Sequence, residues 1–319
     1  MNDNIGVSIA VSAILYGTPL LLAGLGELLA ERSGVLNLGV EGMMLMGAVT
    51  AFFVSQSLHG TAWMALLFSV LAAALAGGLM GLIHAFLSIT MRANQIVSGL
   101  ALTIFAGIAG LSSYLGQVWK LGAKAGLHQF SAVDLFGLAK LPILGPIVFH
   151  QDLFVYLSWI LVAVAAYYLY RTRTGLHLRA VGESPQAADA MGINVTAYRY
   201  THTVVGGMLA GIGGSYFTLA LSTNWTDGIT AGAGWIAIAL VIFAFWRPDL
   251  LVVGAYLFGG FSSLGFDLQA RGVQLPSEFF SSLPYLMTVL ALVLVSTGWA
   301  KRRVGAPAAL GVPYAREGD

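Results

Sequence analysis

A few polar side chains lie within otherwise apolar segments, and these side chains suit the binding of a small neutral polar solute. Of the 319 residues, 58% are hydrophobic and only 9% are charged, whereas a soluble domain carries about 25% charged residues. A polar group at membrane depth is costly unless it faces protein or a water-filled cavity. The candidate solute-path residues are Asn37, Glu41, Asn94, Thr103, Asn224 and Trp235. Each has a structural alternative: helix capping or helix–helix hydrogen bonding for the polar groups, and an interfacial aromatic belt for the tryptophan.

Motifs for catalysis, ATP hydrolysis and metal binding are missing from the sequence. It has no cysteine and no Gly-Lys dipeptide, so thiolate sites and the GxxxxGK[ST] phosphate-binding loop are excluded. No His is followed by Glu, and no Ser lies in a GxSxG pattern. A net charge of +1 gives no field that would attract nucleic acid. We therefore expect a protein that is not an enzyme and that has no catalytic residue, cofactor or metal of its own.

Nine apolar windows are long enough to cross a bilayer, and they predict an all-α, polytopic membrane bundle. Strict alternation of apolar and polar residues is absent, which disfavours a transmembrane barrel. We expect one transmembrane domain over residues 1–300 and a cytoplasmic tail over 301–319. The windows lie at residues 8–30, 38–57, 61–90, 95–117, 151–170, 200–222, 232–246, 249–267 and 283–300.

The distribution of Lys and Arg predicts the orientation. With nine crossings, four basic residues fall on one side, namely Lys120, Lys124, Lys140 and Arg271. The other side holds eleven: Arg32, Arg92, Arg171, Arg173, Arg179, Arg199, Arg247, Lys301, Arg302, Arg303 and Arg316. Because cytoplasmic loops are enriched in Lys and Arg, we expect the N-terminus outside and the C-terminus in the cytoplasm.

Two small-residue motifs predict close helix approach. They are Gly77-xxx-Gly81 and Gly207-xxx-Gly211, and small residues at this spacing let helix backbones come into contact in lipid. Such an interface is either a moving one or ordinary packing within the subunit, and the sequence leaves both open.

The most informative hydrophilic stretch is residues 171–199, on the predicted cytoplasmic side. Ser184 suits a helix N-cap, Pro185 the first helical position, and Gly192 a left-handed stop. Two turns of helix are marginal alone in water, so this helix must pack on something. Its apolar residues form a small knob that suits a partner's groove, and the alternative is a helix that lies on lipid. The knob residues are Ala188, Met191 and Ile193.

Three stretches carry a family resemblance. Residues Arg179 to Ile193, reading RAVGESPQAADAMGI, resemble the coupling loop in permease subunits of bacterial ABC importers, in the branch for branched-chain amino acids, ribose and nucleosides. Residues Gly26 to Gly42, reading GELLAERSGVLNLGVEG, are similar to the signature after the first span of that family. Residues Gly232 to Phe245, reading GAGWIAIALVIFAF, look like the nucleoside and simple-sugar sub-branch. Ser184 departs from the family, where Asn is commoner before the proline, but both residues cap helices.

The resemblance implies a set of partners and a location. The partners are cytoplasmic ATPase subunits, a second permease that is usually a different chain, and an extracytoplasmic solute-binding protein. The location is the bacterial cytoplasmic (inner) membrane, where the chain is multi-pass and contacts lipid. The residues implied to couple to the ATPase are Gly182, Glu183, Ser184, Pro185, Ala188, Asp189, Met191, Gly192 and Ile193.

Several functions stay open at this point. The spans are nearly free of charge, which disfavours a strongly ionic solute, and the resemblance favours a nucleoside, with a simple sugar or a branched-chain amino acid as alternatives. A secondary transporter that works without an ATPase, and a membrane scaffold with no solute path, are further alternatives. The helix at 184–192 distinguishes an ABC permease from a secondary transporter, because a carrier that works alone has no need of a docking helix.

Overall fold

The computed structural model describes residues 5–107, 110–124, 126–269 and 305–316, together with residues 276, 279, 282–283, 285–286, 289–290 and 293. The described chain is almost entirely helical. The helices are α1 (Ile5–Arg32), α2 (Val40–Ser57), α3 (Ala62–Ala85), α4 (Gln95–Ala106), α5 (Leu111–Val118), α6 (Leu153–Arg171), α7 (Arg173–Glu183), α8 (Pro185–Ala190), α9 (Val195–Tyr216), α10 (Ala233–Phe243) and α11 (Pro248–Gln269). Helices α3 and α9 each continue through one π-helical turn, Phe86–Thr90 and Phe217–Leu221.

A small hairpin departs from the all-α expectation. Strand β1 (Val133–Asp134) pairs antiparallel with strand β2 (His150–Gln151), with Val133 opposite Gln151. The hairpin closes part of the long loop between α5 and α6. Near it, Asp152 caps α6 by accepting from the Val155 amide (3.1 Å), and it also accepts from the Tyr216 hydroxyl (2.6 Å).

Five helical segments of the described chain are long and apolar enough to cross a membrane. They are Ile5–Arg32, Ala62–Thr90, Gln95–Val118, Leu153–Arg171 and Val195–Leu221. The chain is therefore a multi-pass helical membrane protein. Nine crossings, and the direction in which they run, stay predictions, and most of the ninth window (283–300) lies outside the described residues.

Helix α1 lies at the centre of the bundle. Every residue from Gly17 to Glu31 is buried, and a helix that is apolar and buried all round belongs to a core. Helices α9 and α11 pack along it, and α2 and α3 pack against α9.

The two glycine motifs form the two halves of one interface between α3 and α9. A Cβ at Gly77 would collide with the backbone oxygen of Gly207, and a Cβ at Gly207 would collide with that of Gly77. Gly211 meets α3 at Ala73 and Gly77 in the same way. The prediction of close helix approach is confirmed, and the backbones touch because neither helix carries a side chain there.

Between α1 and α2 the chain leaves helical geometry while still inside the protein. We refer to Ser33–Gly39 as the interhelical segment. Most of it is buried, with Ser33, Val35 and Asn37 each at most 1% exposed. Its backbone groups cannot rely on water, so side chains of neighbouring helices must satisfy them.

Candidate functional site

Side chains from α1 and α4 hold the interhelical segment by its amide groups. Glu27 on α1 accepts from the Asn37 amide through Oε1 (3.0 Å). Gln95, at the start of α4, accepts from the Leu36 amide (2.8 Å). Both acceptors are buried, so each replaces a bond that the broken helix cannot make.

The carbonyl groups of the same segment are held from α3 and α4. His84 Nε2 lies 3.0 Å from the Leu36 oxygen, and Thr103 Oγ1 donates to the Leu38 oxygen (2.9 Å). The predicted path residue Thr103 therefore fixes backbone, and so does Asn37, whose side-chain oxygen accepts from the Gly39 amide (2.9 Å). These two residues frame a non-helical break deep in the bundle.

Glu41, in the first turn of α2, caps the N-terminus of α10. Its carboxylate accepts from Thr230 Oγ1 (2.6 Å), from the Gly232 amide (3.0 Å) and from the Gly234 amide (2.6 Å). A carboxylate at this position complements the positive end of the helix dipole. The contacts of Glu41 thus agree with the structural alternative, in which this residue caps a helix.

Helix α10 is a half-length helix that begins inside the protein. It has 11 residues, which span about 16 Å, roughly half of a ~30 Å hydrocarbon core. Its far end reaches Trp246, whose backbone oxygen accepts from Arg32 at the end of α1 (2.8 Å). The contacts of Glu41 and of Arg32 therefore lie at opposite ends of α10.

A cavity of about 640 Å³ opens beside this helix start. This size falls within the usual range for a small-molecule site. No Asp, Glu, Lys or Arg is among the described residues that line it. Its polar and aromatic lining comprises Tyr16, Phe217, Ser222, Asn224, Thr226, Thr230, Ser262 and Tyr285.

Glu41 lies directly behind this cavity. Thr230 both lines the cavity and donates to Glu41, and the Tyr285 hydroxyl donates to the Ala231 oxygen (2.9 Å). The cavity wall from Thr230 to Ala233 is thus fixed by hydrogen bonds from two directions.

The other three predicted path residues lie in three different settings. Asn224 lines the cavity. Asn94 is exposed and caps α4 by accepting from the Val97 amide (3.1 Å), so it lies away from the cavity as a helix cap. Trp235 is 37% exposed and is not among the described residues that line the cavity.

The sequence did not single out Thr230 or Tyr285, although both line the cavity. Thr230 lies in a polar loop that precedes an apolar helix, and this position is the one feature of the sequence that could have identified it. Tyr285 belongs to a different window, and nothing in its local pattern connects it to residue 231.

Helix α8, the coupling helix of the prediction, has the expected ends. Ser184 is the N-cap, and its Oγ accepts from the Ala187 amide (3.4 Å). Pro185 occupies the first helical position. Gly192 has a φ of +80°, in the left-handed region that favours glycine. The local punctuation of the sequence is therefore confirmed.

The predicted apolar knob needs one correction. Ala188 is only 3% exposed and packs with Val181 of α7 and Val195 of α9, so it points into its own chain. Ile193 is half-buried against the same cluster. Met191 is 82% exposed and is the apolar residue of the knob that remains available to a partner. The prediction was wrong for Ala188 because the neighbouring helices determine which side of a six-residue helix is buried.

Some of the other predicted coupling residues are buried in the chain, and the rest lie on its surface. Gly182 and Pro185 are buried, whereas Glu183 and Ser184 are exposed and Asp189 is half-buried. Asp189 pairs with Arg316 (3.2 Å). The surface that α8 offers therefore consists of Met191, the exposed Ala187 and Ala190, and the polar groups around them.

The docked position of residues 305–316 was not predicted from the sequence. This segment lies against α7, α9 and the interhelical segment, and the Ala309 amide donates to the Gly182 oxygen (2.9 Å). Most of its residues are Ala, Gly and Pro, with Arg316 as its one charged residue, and no periodicity in it indicates a docked position.

The sequence matches that of a known transporter family. The family model for the permease component of the branched-chain amino acid transport system matches residues 9–292. No solved structure matches the chain.

Three relatives match nearly the whole chain. Guanosine ABC transporter permease protein NupQ of Bacillus subtilis is 38% identical over 97% of this chain and 97% of its own. Nucleoside ABC transporter permease protein NupC of Lactococcus lactis subsp. cremoris is 36% identical over 90% and 91%. The protein named "Putative glucose ABC transporter permease protein TsgC13" of Haloferax volcanii is 39% identical over 97% of both chains. With the family model covering most of its length, this chain belongs to the family of branched-chain amino acid transport system permease components.

Proposed function

We propose that this chain is the permease subunit of an ABC importer, and that it forms the path for a small neutral polar solute, most favourably a nucleoside. The observation that carries the proposal is the exposed end of α8, a short capped helix that presents Met191 while its other face is packed into the chain. Because this chain has no phosphate-binding loop, ATP-driven import would need a partner ATPase, and a short docking helix suits such a partner.

The solute preference rests on the lining of the cavity. Asn224, Thr230 and Ser262 offer neutral hydrogen-bonding groups, and Tyr16 and Tyr285 offer aromatic faces. A base and a ribose need these two kinds of contact. The names of NupC and NupQ favour a nucleoside, and the name of TsgC13 keeps a simple sugar as the second candidate.

The proposal includes partners and a location. ATPase subunits dock on α8 in the cytoplasm, a second and different permease completes the path, and a binding protein delivers solute on the outer side. The membrane is the cytoplasmic membrane of a bacterium. Hydrolysis of ATP belongs to the ATPase partner, since this chain lacks the phosphate-binding loop.

The coupling test uses Met191→Glu, with Met191→Leu as the matched control. Glutamate at an exposed position leaves the fold intact but places an unpaired charge in the docked interface, where its burial is expensive. We expect uptake of labelled nucleoside to be lost with glutamate and retained with leucine, while both variants still insert. Co-purification in mild detergent should show the ATPase with the leucine variant and less of it with the glutamate variant.

Two results would contradict the ABC proposal. The first is normal uptake by Met191→Glu, and the second is a parent chain that purifies from active cells with no ATPase. Either result would favour a carrier that works alone. Unlabelled nucleosides, sugars and branched-chain amino acids as competitors then decide the solute, and competition by sugars alone would replace the nucleoside by the second candidate.

A further inference from the structure

Residues 305–316, which we name the tail strap, lie across the predicted ATPase-docking region and the interhelical segment at once. On the docking side, the strap is bound to the end of α7. The Ala309 amide donates to the Gly182 oxygen (2.9 Å), and the Ala308 amide donates to Glu183 Oε2 (3.3 Å). A Cβ on Gly182 would lie 3.2 Å from the Cβ of Pro307, so the strap backbone lies closely against this helix.

An ion pair extends the strap to α8 itself. Arg316 Nε lies 3.2 Å from Asp189 Oδ2, with side chains 69% and 26% exposed. Exposed pairs contribute little to stability. This pair nevertheless joins the far end of the strap to the helix that we propose receives the ATPase.

On the bundle side, the strap is bound to the chain between α1 and α2. The Gly311 amide donates to the Gly34 oxygen (3.2 Å), and Arg32 donates to the Gly305 oxygen (3.3 Å). Gly34 has a φ of +89°, which allows this close approach without strain. The strap is therefore joined to the interhelical segment at its first residues.

Arg199 of α9 anchors the middle of the strap. This side chain is 1% exposed, and a buried guanidinium is costly unless it is compensated. It donates to the Val312 oxygen (3.0 Å) and lies 6.0 Å from the centre of the Tyr314 ring. Its Nε and second terminal nitrogen have no hydrogen-bond partner among the described residues. The strap thus supplies the backbone oxygen and the aromatic ring that compensate this buried charge, and these contacts join the strap to the bundle.

We propose that the tail strap transmits movement of α8 to the interhelical segment, and from there to the wall of the solute cavity. The interhelical segment leads directly into Glu41, whose carboxylate holds Thr230 and the start of α10. Direct packing of α8 on α9 is an apolar contact through Ala188 and Val195, whereas the strap contacts are directional hydrogen bonds. The inference rests on the proposed function, because it needs an ATPase that moves α8.

The first test compares two proline substitutions in the strap. Ala309→Pro removes the amide that donates to Gly182, and Ala306→Pro changes an exposed residue whose amide has no hydrogen bond within the described chain. In the complex with its ATPase, we expect Ala309→Pro to retain assembly and basal ATP hydrolysis. Stimulation of hydrolysis by solute and binding protein, and uptake, should fall about 5-fold or more. Ala306→Pro should behave like the parent.

Two outcomes of this comparison overturn the strap. One is parental stimulation and uptake in Ala309→Pro. The other is loss of the ATPase from the Ala309→Pro complex, which would make the strap part of the docking surface and not a transmitter.

A second test does not depend on the folding of a proline variant. Asp189→Arg and Arg316→Asp each place like charges together, and the double reversal restores an opposite pair. We expect each single reversal to lower uptake and the double reversal to recover it, whereas no recovery refutes the strap contact. A parent complex without ATP-dependent uptake would refute the proposed function instead, whatever the strap variants do.

Discussion

At the scale of single residues, Glu41 joins the cavity wall to the bundle most directly. Glu41→Gln keeps the length of the side chain but replaces one acceptor oxygen by an NH₂ group that faces backbone N–H donors at Gly232 or Gly234. Hydrogen bonds to charged groups contribute about 1.5–3 kcal/mol. We expect uptake to fall about ten-fold or more while the chain still inserts and still binds its ATPase. Labelled uptake and co-purification on the same membranes measure both.

Asn94 provides the control for Glu41, because it is also polar but lies away from the cavity. Its contact is a cap on the Val97 amide, and loss of such a cap costs about 1 kcal/mol. We expect Asn94→Ala to transport solute at close to the parental rate, with a slightly lower thermal midpoint in detergent. If Asn94→Ala stops uptake as fully as Glu41→Gln, then Asn94 belongs to the path and the capping interpretation fails.

At the scale of elements, the interface between α3 and α9 depends on missing side chains. Gly77→Ala places a methyl group against the Gly207 backbone, whereas Gly60→Ala adds the same methyl group where nothing lies within 4 Å. Overpacking of a tight contact costs about 1–3 kcal/mol. We expect Gly77→Ala to lower the midpoint of thermal unfolding in detergent by several degrees, and Gly60→Ala to leave it unchanged. Equal midpoints would show that the two helices separate without difficulty, as a moving interface would.

Much of the helical structure was predictable from the sequence because its signals are local. The apolar windows place most of the helices, and Ser184, Pro185 and Gly192 fix both ends of α8. The facing of Ala188 was not predictable, since it depends on where α7 and α9 lie. A break near residues 33–39 was predictable, because the apolar windows end at residue 30 and begin again at residue 38. Its position inside the protein was not predictable, because its partners Gln95 and Thr103 are distant in sequence.

At the scale of the whole molecule, the described contacts separate two kinds of surface. One end joins Arg32, Arg199, Arg316 and α8 through the tail strap. The uncharged cavity lies beyond the start of α10, away from that end. A basic end with a docking helix and a neutral solute cavity suit opposite sides of a membrane, because the cytoplasmic leaflet is the one that attracts Lys and Arg.

This separation predicts which residues each side of the membrane can reach. The chain has no cysteine, so single cysteines report position without removal of native thiols. A cysteine at Ser131, in the loop that pairs with residue 219 through the Phe130 amide, should react with an impermeant thiol reagent added to intact cells. A cysteine at Ala187, exposed on α8, should react only after the cells are permeabilised, and the parent chain should not react at all. The reverse pattern would place α8 outside the cell, where no ATPase can reach it, and would remove the physical basis for both ABC coupling and the strap.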